Sequence, residues 1–215
     1  MACLRGAARK RTMETCLIGL PFCGKTTIFN ALSGQQAGGY QQVHLAEVAV
    51  PDPRVEQLAA LFEKKKTIHA AVLLKDLHLE FSEQGGIASA ALGELRSSDA
   101  VAIVLRAFGD EAVIHSLGTV DPLRDLRKLL DSMILSDYEV VEKRLERLEK
   151  EGKKGEREYM SLEKISARLE EGLCIGGDLI HEEDKTLLAG FQFLTSKPMI
   201  VVINMGENAK KLPDP

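Results

Sequence analysis

Residues Gly19-Leu20-Pro21-Phe22-Cys23-Gly24-Lys25-Thr26 fit the pattern GxxxxGK[ST], the signature of a loop that cradles phosphates. The spacing has a chemical reason. Gly19 and Gly24 carry no Cβ, so the loop can turn its backbone N–H groups inward. Those groups and the positive end of the following helix form an anion nest. Lys25 can reach the β- and γ-phosphates as a mobile point charge, the Thr26 hydroxyl can ligate Mg²⁺, and Thr27 continues the first helical turn. A glycine-rich turn with a surface lysine is the bland alternative. The position between a strand pattern and a helix pattern is the one that phosphate binding requires.

A second acid is needed to hold Mg²⁺ through water. Asp76 ends an apolar run, where such an acid belongs; an ordinary aspartate at a strand end is the other reading. The base-reading end of such a site lies beyond a later strand. There Asn204-Met205-Gly206-Glu207 follows the run Met199–Ile203. Guanine-binding proteins commonly use NKxD at this place. Met205 stands where the lysine would be and Glu207 where the aspartate would be, which weakens guanine selectivity and opens the site to ATP. A polar turn after a strand is the alternative. Cys23 sits in the loop near a helix N-terminus, a setting that can lower a thiol pKa. A buried, inert thiol is the competing expectation.

These residues need elements to position them. The run Thr15-Cys16-Leu17-Ile18 reads as a buried strand before Gly19. Lys25 to Leu32 reads as a helix with Ile28, Phe29 and Leu32 on one face, stopped at Gly34. Val43 to Val50 reads as a strand closed by Pro51-Asp52-Pro53. Arg54 to Lys64 has Val55, Leu58, Leu61 and Phe62 at helical spacing. Ile68 to Leu74, Ala100 to Leu105 and Met199 to Ile203 are apolar strand runs, and a helix is expected from about Ile87 to Ser97. Strands that are apolar throughout and alternate with helices predict an α/β fold with a mainly parallel sheet covered on both faces.

Residues 122–173 break this rhythm. Leu123, Leu126, Leu130, Met133, Val140 or Val141, Leu145 and Leu148 form a heptad-like stripe across a polar step at Asp137. The implied helix is about 30 residues and ~45 Å long. A turn at 151–156 leads to a second amphipathic helix through Tyr159, Leu162, Ile165 and Leu169. The pattern predicts an antiparallel hairpin inserted into the sheet domain; a pair of helices packed on the core is the other arrangement. The expected organisation is a basic tail at 1–14, a nucleotide domain at 15–121 and 174–215, and the hairpin at 122–173.

Composition narrows the setting. The 215 residues are 45% hydrophobic and 28% charged, which excludes a disordered chain. The net charge of −4 leaves no global footprint for nucleic acid, and the absence of Trp argues against a base-stacking platform. No apolar run is long enough to span a membrane. The four cysteines show no CxxC pairing and read as reduced thiols in a cytoplasmic protein. Residues 1–12 carry four basic residues and no acid; a targeting tail and a start site placed too early, with Met13 as the real start, both remain open.

At this point the chain resembles the Obg-like ATPase (YchF-type) family of P-loop NTPases. The likeness runs from about Thr15 to Asn208, through LIGLPFCGKTTIFNAL, VPDPRVEQLA, ELRSSDAVAIVLRAF, VIHSLGTVDPLRDL and FLTSKPMIVVIN-MGE. The resemblance implies a G domain with a coiled-coil insertion, ATP preference through Asn204 and Glu207, Mg²⁺ at Thr26 and Asp76, and association with ribosomes or ribosomal RNA. It also implies a catalytic role for a loop histidine, matched by His115, beside Lys25; a histidine suits water orientation near neutral pH. A loop histidine without chemistry is the alternative for His115, with His78 and Glu80 as weaker stand-ins.

This chain departs from the family at both switches. The first has no Thr or Ser between Tyr40 and Pro51, and the second reads Asp76-Leu77-His78-Leu79 where the family has DxxG. The chain is also expected to stop before the family's last G-domain strand, an edge strand, and its TGS domain, leaving an uncovered edge open to association. Two functions follow as expectations. One is an ATPase, with GTP less favoured. The other is a non-hydrolysing nucleotide-binding module that uses its hairpin to hold a partner. The oligomeric state is left open.

Overall fold

The computed structural model of the chain describes residues 12–37, 43–62, 67–81, 86–110, 113 and 115–206. Strand β1 (Met13–Ile18) leads through the phosphate-loop sequence into helix α1 (Lys25–Ser33). Next come β2 (Val43–Ala49), α2 (Pro53–Leu61), β3 (Ala71–Leu77), α3 (Ser89–Ser97) and β4 (Ala100–Ala107). Helices α4 (Pro122–Lys150) and α5 (Arg157–Glu170) form an antiparallel pair. Short helices α6 (Gly176–Leu179) and α7 (Glu182–Leu188) and two 3₁₀ turns precede β5 (Met199–Met205).

The five strands lie in the order β2-β3-β1-β4-β5. All neighbours are parallel except β2, which pairs antiparallel with β3 along its whole length. The fold is α/β with a mostly parallel sheet, as the apolar strand runs predict. Because β1 lies between β3 and β4, its carboxyl end opens into a crevice between two neighbours, where α/β sheets bind ligands.

Local chemistry starts and stops the helices. Gly34, at φ 67°, ends α1 by donating its N–H to the Asn30 carbonyl. The two Asp-Pro pairs act identically. Asp52 and Asp121 cap α2 and α4, each accepting a backbone N–H, and Pro53 and Pro122 occupy the first turn with φ already set. The first pair therefore does more than break a strand.

Packing departs from the apolar stripes in three places. In α1, Phe29 is buried but Leu32 is exposed. Helix α2 ends at Leu61 and buries no side chain; Leu58, Leu61 and Phe62 face away from the described core. In α4 the buried line runs through Asp125, Leu129, Met133, Asp137, Val141 and Leu148, while Leu123 is exposed. Polar residues at core positions shift this seam from the stripe read from leucines alone. The helix also changes partner midway. Leu129 and Met133 pack on the sheet with Ile103 and Leu105, whereas Ile134, Val141 and Leu148 pack with Leu162, Ile165 and Leu169 of α5.

At the sheet edge opposite β2, Ile200, Val201 and Met205 of β5 are exposed. Within the sheet, Lys75 is buried. Burial disfavours its charge, but hydrogen bonds to Glu14 and Glu94 outweigh this and raise its pKa. No described helix is long and apolar enough to cross a membrane.

Candidate functional site

The loop after β1 is shaped by close approach. A Cβ on Gly19 would collide with the Val104 carbonyl oxygen and the Cys23 Sγ, and one on Gly24 would strike the Asn204 amide. Gly24 caps α1 at φ 92°, a conformation that favours glycine, and no side chain caps the helix. The first N–H groups of α1 therefore lack a side-chain acceptor and point where a phosphate would sit. Phe22 is held at φ 62°, a strained backbone for a non-glycine residue, with its ring 66% exposed at the loop tip. Leu20 is buried beneath the loop, Pro21 is half-buried, and Thr27 is exposed on the first turn.

Three polar side chains converge below this loop. The buried Lys25 folds back and donates from Nζ to the Gly19 carbonyl at 3.1 Å. Thr26 Oγ1 donates to Asp76 Oδ2 at 2.7 Å. Asp76 is buried inside β3, one residue before its end, and pairs in register with Leu17. The strand runs past Leu74, so Asp76 is held by ladder hydrogen bonds on both sides rather than by a loop. A hydroxyl and a carboxylate in contact form a small, hard, all-oxygen donor set, which fits Mg²⁺ completed by water and phosphate. Among the described residues no cluster of three or more His, Cys, Asp or Glu is arranged for a metal.

Strand β5 extends through Met205, so Asn204 lies inside the strand, and its Nδ2 donates to the Cys23 carbonyl at 3.0 Å. The asparagine therefore braces the phosphate loop across 181 residues of sequence. Met205 is exposed at the strand end, and Glu207 lies outside the described residues.

Cys23 sits in the setting of the competing expectation, a buried thiol. The thiol is buried under Gly19 and packs with Leu17, Phe29 and Val104. Burial pushes its pKa up, outweighing the pull of nearby Lys25.

His115 is built into the root of α4. Its Nδ1 accepts the Leu117 N–H at 3.1 Å, so its ring proton sits on Nε2, which meets Asp125 Oδ2 at 2.8 Å. Asp125 also accepts from Arg124 through its other oxygen. Both ring nitrogens are engaged and the residue is buried. Leu79, at the position of the family's switch glycine, is buried in the sheet core. Within the segment that has no Thr or Ser before Pro51, Val43–Ala49 form β2, where His44 lies opposite Asp76 and its ring packs near Phe29.

The roles of two side chains escaped the sequence reading. Asp137, fully buried on α4, accepts from Arg96, from the backbone N–H groups of Leu194 and Thr195, and from the Thr195 hydroxyl. An acid interrupting an apolar stripe was the available signal. Arg106, on the same face of β4 as Ala102 and Val104, is 1% exposed. A lone charge in an otherwise apolar strand run was its signal.

No protein-family model matches the chain. It is 32% identical over 205 residues to a Bacillus subtilis protein named ribosome-binding ATPase YchF, covering 89% of this chain and 56% of the relative. It is 33% identical over 216 residues to Obg-like ATPase 1 of Schizosaccharomyces pombe, covering 91% and 55%. A solved structure described as the Schizosaccharomyces pombe YchF GTPase superimposes with a TM-score of 0.73 at 30% identity, covering 91% of this chain and 57% of that one. The chain thus spans a little over half the length of these relatives. By shared sequence through nine-tenths of its residues and by a common sheet, it belongs to the Obg-like ATPase (YchF-type) family.

Proposed function

We propose that the chain binds a purine nucleotide with Mg²⁺ and hydrolyses its γ-phosphate, with ATP preferred over GTP. The observation that carries this reading is the contact of Thr26 with Asp76 beside the buried Lys25, directly under an uncapped helix end. Lys25 would exchange its Gly19 carbonyl for phosphate oxygens, and the amides at the start of α1 would hold the same anion. Asn204 would keep the loop in shape through the Cys23 carbonyl. Mg²⁺, held by Thr26 and by Asp76 through water, would neutralise charge on the β- and γ-oxygens. Positioned cationic and N–H groups supply most of the rate in such transfers. The preference for ATP rests on Glu207 and Met205 replacing the guanine-reading pair.

The test is equilibrium binding and turnover of ATP and GTP on one preparation. Saturable, Mg²⁺-dependent ATP binding that Lys25→Ala weakens supports the site; equal ATP affinity in that variant overturns it.

A second reading, a nucleotide-dependent module without hydrolysis, is favoured by His115, whose two ring nitrogens are engaged within its own loop and helix. ATP binding with no turnover above background supports it. Turnover that Lys25→Ala abolishes excludes it. In either case the relatives' names support a cytoplasmic, ribosome-associated role, with the nucleotide domain at 15–121 and 174–215 and the hairpin at 122–173 as partner-facing insertion. Co-sedimentation with ribosomes in the presence and absence of ATP checks this.

A further inference from the structure

One polar side chain on the phosphate-loop face of the sheet has no part in the site described so far. His44 is the second residue of β2, and Asp76 is one residue from the end of β3. The two strands are antiparallel, so both residues lie at the end of the sheet where β1 opens into the phosphate loop. His44 stands directly opposite Asp76, as Ala46 stands opposite Leu74 and Val48 opposite Val72. Residues opposed in this way share a face, with Cβ atoms about 4.5–5.5 Å apart. The face is the one beneath α1, because Ala46, Val48, Val72 and Leu74 pack with Phe29. The His44 ring agrees with this placement: its centroid lies 6.2 Å from that of Phe29, at a tilt of 42°. Phe29 follows Thr26 by three residues and so lies on the same flank of α1. Thr26 already donates to Asp76 at 2.7 Å. His44, Asp76 and Thr26 therefore border one corner of the site. His44 is half-buried, and among the described residues its ring nitrogens have no hydrogen-bond partner.

Mg²⁺ dehydrates reluctantly and keeps several waters when it binds one or two protein groups and phosphate. Each of those waters has protons to donate, and an acceptor fixed by the fold sets its direction. A neutral imidazole offers one accepting nitrogen. The other β2 side chains on this face, Ala46 and Val48, offer none, and the sequence between Tyr40 and Pro51 holds no hydroxyl of Thr or Ser. We propose that His44 is a positioning residue for the divalent ion: one ring nitrogen accepts a hydrogen bond from an ion-bound water beside Asp76, and the contact with Phe29 sets the ring. The inference rests on the reading of Thr26 and Asp76 as the Mg²⁺ site of a nucleotide-binding loop and adds β2 to the elements that hold the ion.

The test is calorimetric titration of the full chain with ATP at a series of Mg²⁺ concentrations and in EDTA. His44→Phe keeps a ring against Phe29 and removes the accepting nitrogen. In it the Mg²⁺ concentration for half-maximal ATP binding should rise about tenfold or more, while ATP affinity in EDTA changes less than about threefold. His44→Gln keeps an acceptor, its amide oxygen, and should bring the Mg²⁺ requirement back near that of the unaltered chain. Should His44→Phe fail to fold, His44→Val, a strand former without the nitrogen, carries the same expectation. A role in packing alone would lower ATP affinity equally in EDTA and would not be restored by glutamine. An equal loss in EDTA, an unchanged Mg²⁺ requirement in the folded variant, or no recovery in His44→Gln therefore overturns the proposal. Mg²⁺-dependent ATP binding that ignores His44→Phe refutes this inference alone. Absence of Mg²⁺-dependent ATP binding in the unaltered chain refutes the nucleotide reading, and this inference with it.

Discussion

Two buried aspartates, one under the phosphate loop and one at the root of the hairpin, are treated in opposite ways. Asp137 is saturated: four donors from two segments fill both carboxylate oxygens. Its charge is spent on joining α3, α4 and the turn before β5. Among the described residues the Asp76 carboxylate accepts from one side chain, the Thr26 hydroxyl. A buried carboxylate with filled coordination is a joint, and one with room for further donors is available for chemistry. The same contrast separates His115, engaged at both nitrogens, from Lys25, which holds a single carbonyl that a phosphate can replace.

Substitutions sharpen or break this contrast. The largest expected effect is on stability. Asp137→Ala takes the carboxylate from Arg96, which keeps only backbone carbonyls, and leaves the N–H groups of Leu194 and Thr195 without that acceptor; it should cost about 3–5 kcal/mol in chemical denaturation. The ATP affinity of the folded fraction should stay unchanged; a parallel loss of affinity would erase the distinction between joint and site. Next, Lys25→Ala removes a charged donor to phosphate worth about 1.5–3 kcal/mol. ATP affinity by calorimetry should fall about 10- to 100-fold, with a smaller change in the unfolding midpoint.

Asp76→Asn keeps the shape and removes the charge. The Mg²⁺ concentration needed for half-maximal ATP binding should rise about tenfold or more. If instead the fold collapses and Mg²⁺ dependence is untouched, Asp76 is a joint like Asp137. The smallest effect belongs to the hairpin surface. Arg144 hydrogen-bonds Glu158 at 2.7 Å and holds its pKa below the ordinary 4.5. A lowered carboxylate pKa means the contribution is fully present above 4.5 and is lost as pH falls through the folded value. For a half-buried pair on the hairpin surface it amounts to about 0.2–1 kcal/mol. Glu158→Gln should therefore lower stability at pH 7 by about that amount and leave it unchanged at low pH, which flattens the acid side of the stability profile.

Much of this was legible beforehand because it is local. The phosphate loop, the glycine that ends α1 and the apolar strands depend on residues a few positions apart. So do the two Asp-Pro helix starts, although their capping role was overlooked. The hairpin was legible in outline, since Leu162, Ile165 and Leu169 repeat at helical spacing and are buried together. Its seam in α4 was not, because a stripe of leucines cannot show that Asp125 and Asp137 take core positions. Helix α2 shows the converse: an apolar stripe that the described residues leave without a partner.

The sequence by itself determined that a phosphate loop joins a buried strand to a helix, because glycine geometry and side-chain period act over single turns. Only the tertiary structure decided which charges are committed. Thr26 meets Asp76 across 50 residues, Leu194 meets Asp137 across 57, and Asn204 meets Cys23 across 181. Whether a buried polar group is a joint or a site depends on how many donors the fold brings to it from a distance, and no local pattern encodes that number.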